Sequence, residues 1–172
     1  EAGHEVASFQ QELQARTTLP EVATTETLTV NKYSGQIRVK GTDFEMRFTT
    51  EGDLSSWKVK GTPIIVPEAG PEYANFRWVE NDGPTESLSK YNEKNGITSK
   101  SATFTLSEDK KHVNVAVNAN GWFCNYKFTY TISADGSMLL DTWYKVVPKD
   151  ARRIGLSVVF PKNFEQVEYY AY

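Results

Sequence analysis

The sequence predicts an all-β protein, an antiparallel sandwich, and three observations carry that prediction. Apolar residues fall on every second position over long stretches: Trp122, Cys124, Tyr126, Phe128, Tyr130 and Ile132 alternate with Asn125, Lys127, Thr129 and Thr131. A period of two marks a strand with one face buried and one wet. Turn pairs such as Ser34-Gly35 and Asp135-Gly136 punctuate these stretches at short intervals, supplying the positive φ that tight hairpins demand. Finally, from Leu28 onward no convincing helix pattern separates one extended run from the next.

At the front, residues 1–13 are ambiguous. Val6, Phe9 and Leu13 fit a helical stripe, while Ala7, Phe9 and Leu13 fit one face of a strand, and periodicity alone slightly favours the helix. Residues 14–27, rich in Thr, Pro and Glu with little apolar pattern, read as a linker between two folded units. The main domain therefore spans residues 28–172.

Within it, Leu28 to Val30 and Ile37 to Val39 flank the Ser34-Gly35 turn. Phe44, Met46 and Phe48 alternate before Glu51-Gly52-Asp53, and Leu54 to Lys60 returns with Trp57 and Val59. Residues 63–71 hold three prolines around Ile64-Ile65-Val66 and form a connection with an apolar plug rather than a central strand. Residues 73–95 are the least regular segment, long enough to suggest function.

Ala102, Phe104 and Leu106 mark a short strand over residues 101–106, and Ser107 to Lys110 turns the chain. Val113, Val115 and Val117 alternate up to a reversal at Asn118-Ala119-Asn120-Gly121. The aromatic strand, a two-residue turn at Asp135-Gly136 and a run from Met138 to Val147 follow. After Pro148-Lys149-Asp150, Ile154, Leu156, Val158 and Phe160 alternate again, so a four-strand meander is expected from Val113 to Phe160.

Composition narrows the function classes. A chain of 172 residues with 39% apolar content is long enough for one good core or two small ones. Net charge is −3 with scattered lysines, so no basic face is offered to nucleic acid. No apolar run approaches the roughly 20 residues that span a bilayer, and the first residues lack a secretory pattern, so no membrane partner is expected. The single cysteine, Cys124, excludes an internal disulfide and fits a cytoplasmic or a periplasmic protein equally.

Catalytic constellations are not legible. His4 and His112 stand alone, Cys124 has no partner, and Asn81-Asp82-Gly83 reads as a turn rather than a calcium loop, so neither a metal nor a cofactor is assigned. No nucleophile motif surrounds Cys124 or any serine, and Cys124 reads as a small core hydrophobe. Among 22 acidic residues, pairs such as Glu80 with Asp82 read as solvated surface charge rather than an acid and a base. Four tryptophans remain. Rings on strand faces build the core, but Trp78, in the irregular segment, and Trp122 are candidate platforms for the apolar face of a sugar.

Four motifs then carry a resemblance. Asn75-Phe76-Arg77-Trp78 followed by Asn81-Asp82-Gly83 resembles the stretch of large family 2 β-galactosidases in which an Asn-Phe-aromatic-Arg run leads into an Asp-Asn-Asp loop. Ala151-Arg152-Arg153-Ile154-Gly155-Leu156 is similar to that family's Pro-Arg-Ile-Gly-Leu strand, and Val167-Glu168-Tyr169-Tyr170 to its Val-x-Trp-Tyr segment. The run from Phe44 to Ser56 resembles the opening strands of the same domain. Ala2 to Ala7 is similar to the last strand of the immunoglobulin-like domain before it, which turns the reading of residues 1–13 from helix to strand.

The resemblance implies the first part of a truncated C-terminal β-sandwich, the small-chain or fifth domain, of galactose-mutarotase-like supersandwich shape. It also implies a retaining hydrolase whose two catalytic glutamates lie on a (β/α)8 barrel elsewhere in the parent polypeptide, with no catalytic residue in this chain. The family's loop that leans toward the sugar maps onto Asn81, Asp82, Gly83 and Pro84. The implied partners are the barrel domain and, through the parent enzyme, a galactoside-type carbohydrate. A stand-alone carbohydrate-binding module and a structural spacer are the rivals. A sandwich cut before its last strands leaves open edges, so a homo-oligomer is expected for the isolated chain.

Overall fold

The computed structural model describes residues 25–74, 96–147, 154–164 and 166, and within them the chain is extended almost throughout. A first meander joins β1 (Thr29–Tyr33), β2 (Gln36–Lys40), β3 (Phe44–Thr49), β4 (Leu54–Val59) and the two-residue β5 (Thr62–Pro63) in sequential antiparallel order. Ser34 (φ 48°) and Gly35 (φ 76°) close the first hairpin, where both central residues need left-handed backbone. Ser55 is the extra residue of a β-bulge, because Arg47 faces Ser56 while Phe48 faces Leu54. Its hydroxyl donates to the Arg47 carbonyl at 3.1 Å.

After the short β6 (Glu72–Ala74), a second meander runs through β7 (Ile97–Leu106), β8 (His112–Gly121), β9 (Cys124–Ser133) and β10 (Met138–Val146). A third, two-stranded sheet pairs β6 with β11 (Gly155–Ser157). The inner faces of the two large sheets make the core. Val39, Met46, Phe48 and Leu54 come from one, and Val115, Val117, Phe128, Tyr130 and Ile132 from the other. Phe48 marks the contact, with its ring edge-on to Phe104 at 5.8 Å and to Tyr130 at 5.5 Å. Every residue of the aromatic strand that alternation assigned inward from Cys124 to Ile132 is buried, and the fold is the expected all-β, antiparallel sandwich.

Several expectations about individual elements need correction. β7 begins at Ile97 and not at 101, since Ser99, Lys100 and Ser101 pair with Asn120, Ala119 and Asn118 despite their polar character. For the same reason Asn118 to Gly121 continues β8. Ala119 keeps the inward alternation of the valines and is buried, so the reversal falls one step later, at Trp122 and Phe123. The turn at Asp135-Gly136 is a three-residue loop, closed by the Ser133 N–H donating to the Ser137 carbonyl at 2.9 Å, with Gly136 at φ 88°.

The four-strand meander is therefore β7 to β10, and residues 154–160 do not extend it. Gly155–Ser157 pairs with β6 instead, and the Tyr144 hydroxyl donates to the Gly155 carbonyl at 3.2 Å, so this segment lies across the inner side of β10. Tyr73, read as irregular, sits within β6. The connection over residues 63–71 does hold an apolar plug, and Ile65 is its buried member. The assignments for residues 1–13 and most of 14–27 lie outside the described residues.

Candidate functional site

Of the residues singled out for sugar contact, Trp78, Asn81, Asp82, Gly83 and Pro84 lie outside the described residues. Trp122 is described. It occupies the β8–β9 turn, its backbone N–H donates to the Gly96 carbonyl at 2.9 Å, and its side chain is 69% exposed. Trp122 thus belongs to the surface and not to the apolar face of a strand. Trp143, on the outer face of β10, is half exposed, with Lys127 Nζ 5.4 Å above its ring.

Sequence reading missed a half-open cleft of about 600 Å³ lined by residues of both large sheets. Its walls come from stretches far apart in sequence: the β3–β4 turn, residues between Glu68 and Tyr73, the first four residues of β7, Gln36 and Tyr126. The chain leaves the described residues at Ala74 and returns at Gly96, beside lining residues Tyr73 and Ile97.

The β3–β4 turn is built locally. Thr49 N–H donates to the Asp53 carbonyl at 2.9 Å, Asp53 N–H to Thr49 Oγ1 at 3.0 Å, and the Thr49 hydroxyl to Asp53 Oδ2 at 3.2 Å. Between them Gly52, at φ 90°, lies so close to the second sheet that a Cβ would stand 2.5 Å from Val117 Cγ2 and 2.8 Å from Ala102 Cβ. The turn is thus pressed onto β7 and β8 and aims the Asp53 carboxylate into the cleft. Lys100 meets it there with an ion pair. Lys100 shares the inward alternation of Ala102, Phe104 and Leu106, and a lysine prolonging an apolar face is the one signal by which sequence could have found this site.

Behind the ion pair lies an aromatic wall. Tyr73 stacks on Tyr126 with ring centroids 5.3 Å apart, and Tyr126 packs against Phe128 at 4.7 Å. Burial pushes the Tyr126 phenol well above its ordinary range, and the nearby carboxylates of Asp53 and Glu72 push it further. Burial likewise raises the Cys124 thiol, while a side-chain hydrogen bond with Tyr73 partly offsets the rise. Neither group is poised as a nucleophile or a base near neutral pH. Among the described residues no group of three or more His, Cys, Asp and Glu is placed to hold a metal ion. What the cleft can do is present hydrogen-bonding groups: four carboxylates (Glu51, Asp53, Glu68, Glu72), one lysine already engaged, the amide of Gln36 and several hydroxyls.

Comparison with known proteins finds no curated protein that matches the chain. A family model does match it, the beta galactosidase small chain, over residues 40–172, a span that begins at the last residue of β2 and takes in every later strand and all of the cleft's lining residues but Gln36. An antiparallel sandwich with that match over most of its length leads to one conclusion, that this chain belongs to the beta galactosidase small chain family.

Proposed function

We propose that this chain works as a non-catalytic β-sandwich of a family 2 glycoside hydrolase of the β-galactosidase kind, packed beside the catalytic barrel and lending residues 81–84 to the sugar pocket. The family match over residues 40–172 is the observation that carries this reading. The described residues bear on it through their chemistry. The Tyr126 phenol that lines the cleft and the buried Cys124 thiol beside Tyr73 are both kept protonated by burial, which fits a contribution through positioning and contact.

The test is a galactosidase assay of the enzyme that contains this sandwich together with its barrel, comparing the parent with an Asn81→Ala, Asp82→Ala variant. Loss of about tenfold in kcat/KM at unchanged thermal stability is expected from a loop that contacts substrate. Unaltered kinetics would leave the sandwich a structural spacer. A second reading, a stand-alone carbohydrate-binding module, is favoured by the exposed Trp122. Saturable sugar binding by the chain with no galactosidase subunit encoded beside it would select that reading.

A further inference from the structure

We infer that β10 is a pairing edge for a second copy of this chain, the two strands meeting antiparallel about a two-fold axis at Trp143. The inference goes beyond the proposed function and does not depend on it.

Among the described residues the edge is open. At the two ends of the β9–β10 ladder the Ser133 N–H donates to the Ser137 carbonyl and the Val147 N–H to the Phe123 carbonyl, both at 2.9 Å, and the register between them is unbroken. Antiparallel alternation then commits the backbone groups of the odd-numbered residues of β10 to β9. Those of Met138, Leu140, Thr142, Tyr144 and Val146 point away from it, and β10 is the last strand of its sheet, so no described strand receives them. The other edges of the two large sheets are blunted: β5 is two residues long and ends in Pro63, β1 is short and carries Lys32, and β7 has a bulge at Ile97 to Ser99. β10 runs for nine residues without proline or bulge, and on its outer face Leu139, Trp143 and, just past its end, Val147 are about half exposed.

Charge order selects the occupant and the register. By alternation Leu139, Asp141, Trp143, Lys145 and Val147 share the outer face. On β9 Asp141 faces Thr129 and Lys145 faces Asn125, so neither finds its countercharge there, and neither forms an ion pair with a described residue. A reversed copy of the same strand supplies both. With Trp143 opposite the partner's Trp143, Asp141 comes opposite the partner's Lys145, Lys145 opposite the partner's Asp141, and Leu139 opposite the partner's Val147. The same register sets Thr142 against the partner's Tyr144 and Leu140 against the partner's Val146, the residues whose backbone groups are free, so each such pair can exchange two hydrogen bonds, about eight across the two-fold. Sliding one copy by two residues sets the charges against apolar side chains. Sliding by four sets Asp141 against the partner's Asp141 or Lys145 against the partner's Lys145, and sliding by one brings free backbone groups opposite committed ones. A foreign strand would have to reproduce this order of charges, whereas a second copy carries it by construction.

Sedimentation of the 172-residue chain should show a monomer–dimer equilibrium with a dissociation constant on the order of 10–100 μM, as suits an edge contact smaller than a standard interface. Lys145→Glu should weaken it about tenfold, because like charges then face each other twice, and Lys145→Asp combined with Asp141→Lys should restore it. Both positions are exposed, so the monomer's fold should be unchanged in each variant. Under oxidation with copper phenanthroline, Trp143→Cys should cross-link two copies and Thr142→Cys should not, since Thr142 faces the partner's Tyr144; the native Cys124 is buried and common to both. A monomer at all concentrations overturns the inference, as does a dimer indifferent to Lys145→Glu or one cross-linked through position 142 and not 143. Slow hydrogen exchange at the amides of Leu140, Thr142 and Tyr144 in the dilute monomer would put another segment of the same chain on the edge, and overturns it too.

Discussion

Lys100, on β7, and Asp53, in the β3–β4 turn, form an ion pair across the two large sheets, 47 residues apart in the chain. The partners are unequal. The Lys100 side chain is 16% exposed and Asp53 41% exposed, so removing one does not cost the same as removing the other.

Asp53→Ala should therefore destabilise the protein by about 2 kcal/mol, because it strands a largely buried ammonium and removes the acceptor of the Thr49 hydroxyl. Lys100→Met should cost about 1 kcal/mol or less, since the Asp53 carboxylate can hydrate and keeps Thr49. Urea unfolding of both variants checks the order; equal losses would mean that the ion pair and not the stranded charge sets the cost.

Gly52→Ala should be more damaging than its single methyl suggests. The backbone at φ 90° disfavours any side chain, and the methyl would enter the space of Val117 and Ala102. A loss of about 2 kcal/mol or more is expected from the two effects together. Gly35→Ala is the control, because a Cβ there meets nothing within 4 Å and only the backbone term, about 1 kcal/mol, applies.

High pH should unfold the protein through its buried phenols. Burial raises Tyr126 and Tyr130 far above the ordinary value near 10, with added repulsion from Asp53. The folded state then holds protons that the unfolded chain releases, so stability is full below about pH 10 and falls as pH rises above it. Phenolate absorbance should show Tyr126 and Tyr130 ionising together with loss of near-ultraviolet circular dichroism. Early ionisation of all tyrosines without unfolding would contradict the buried wall.

Much of the sandwich is legible in the sequence because one physical signal dominates it. Where the inner residue is large and the outer one polar, as from Cys124 to Ile132, alternation reads face and register at once. It fails where the inward residue is small or charged. Ala119 and Lys100 both face the core side, and by alternation alone β8 ends too early at the first and β7 starts too late at the second. Pairing beyond sequence neighbours is hidden as well. Nothing in Ile154 to Phe160 says that its partner is β6, because the alternation of a strand does not name the edge it joins. The cleft was invisible for the same reason, being assembled from five stretches whose proximity only the tertiary structure creates.

Each large sheet occupies one unbroken stretch of chain, residues 29–63 for the first and 97–146 for the second. Among the described residues, hairpin neighbours are thus the only strand partners inside either large sheet, and long-range contact is left to the β6–β11 pairing and to the face where the sheets meet. Local closure is fast and distant closure slow, so the two sheets should zip independently and dock late, around Phe48 and Gly52. The same arrangement makes the protein divisible. Separate chains carrying residues 1–85 and 86–172 hold one complete meander each, and mixing them should rebuild the sandwich in trans.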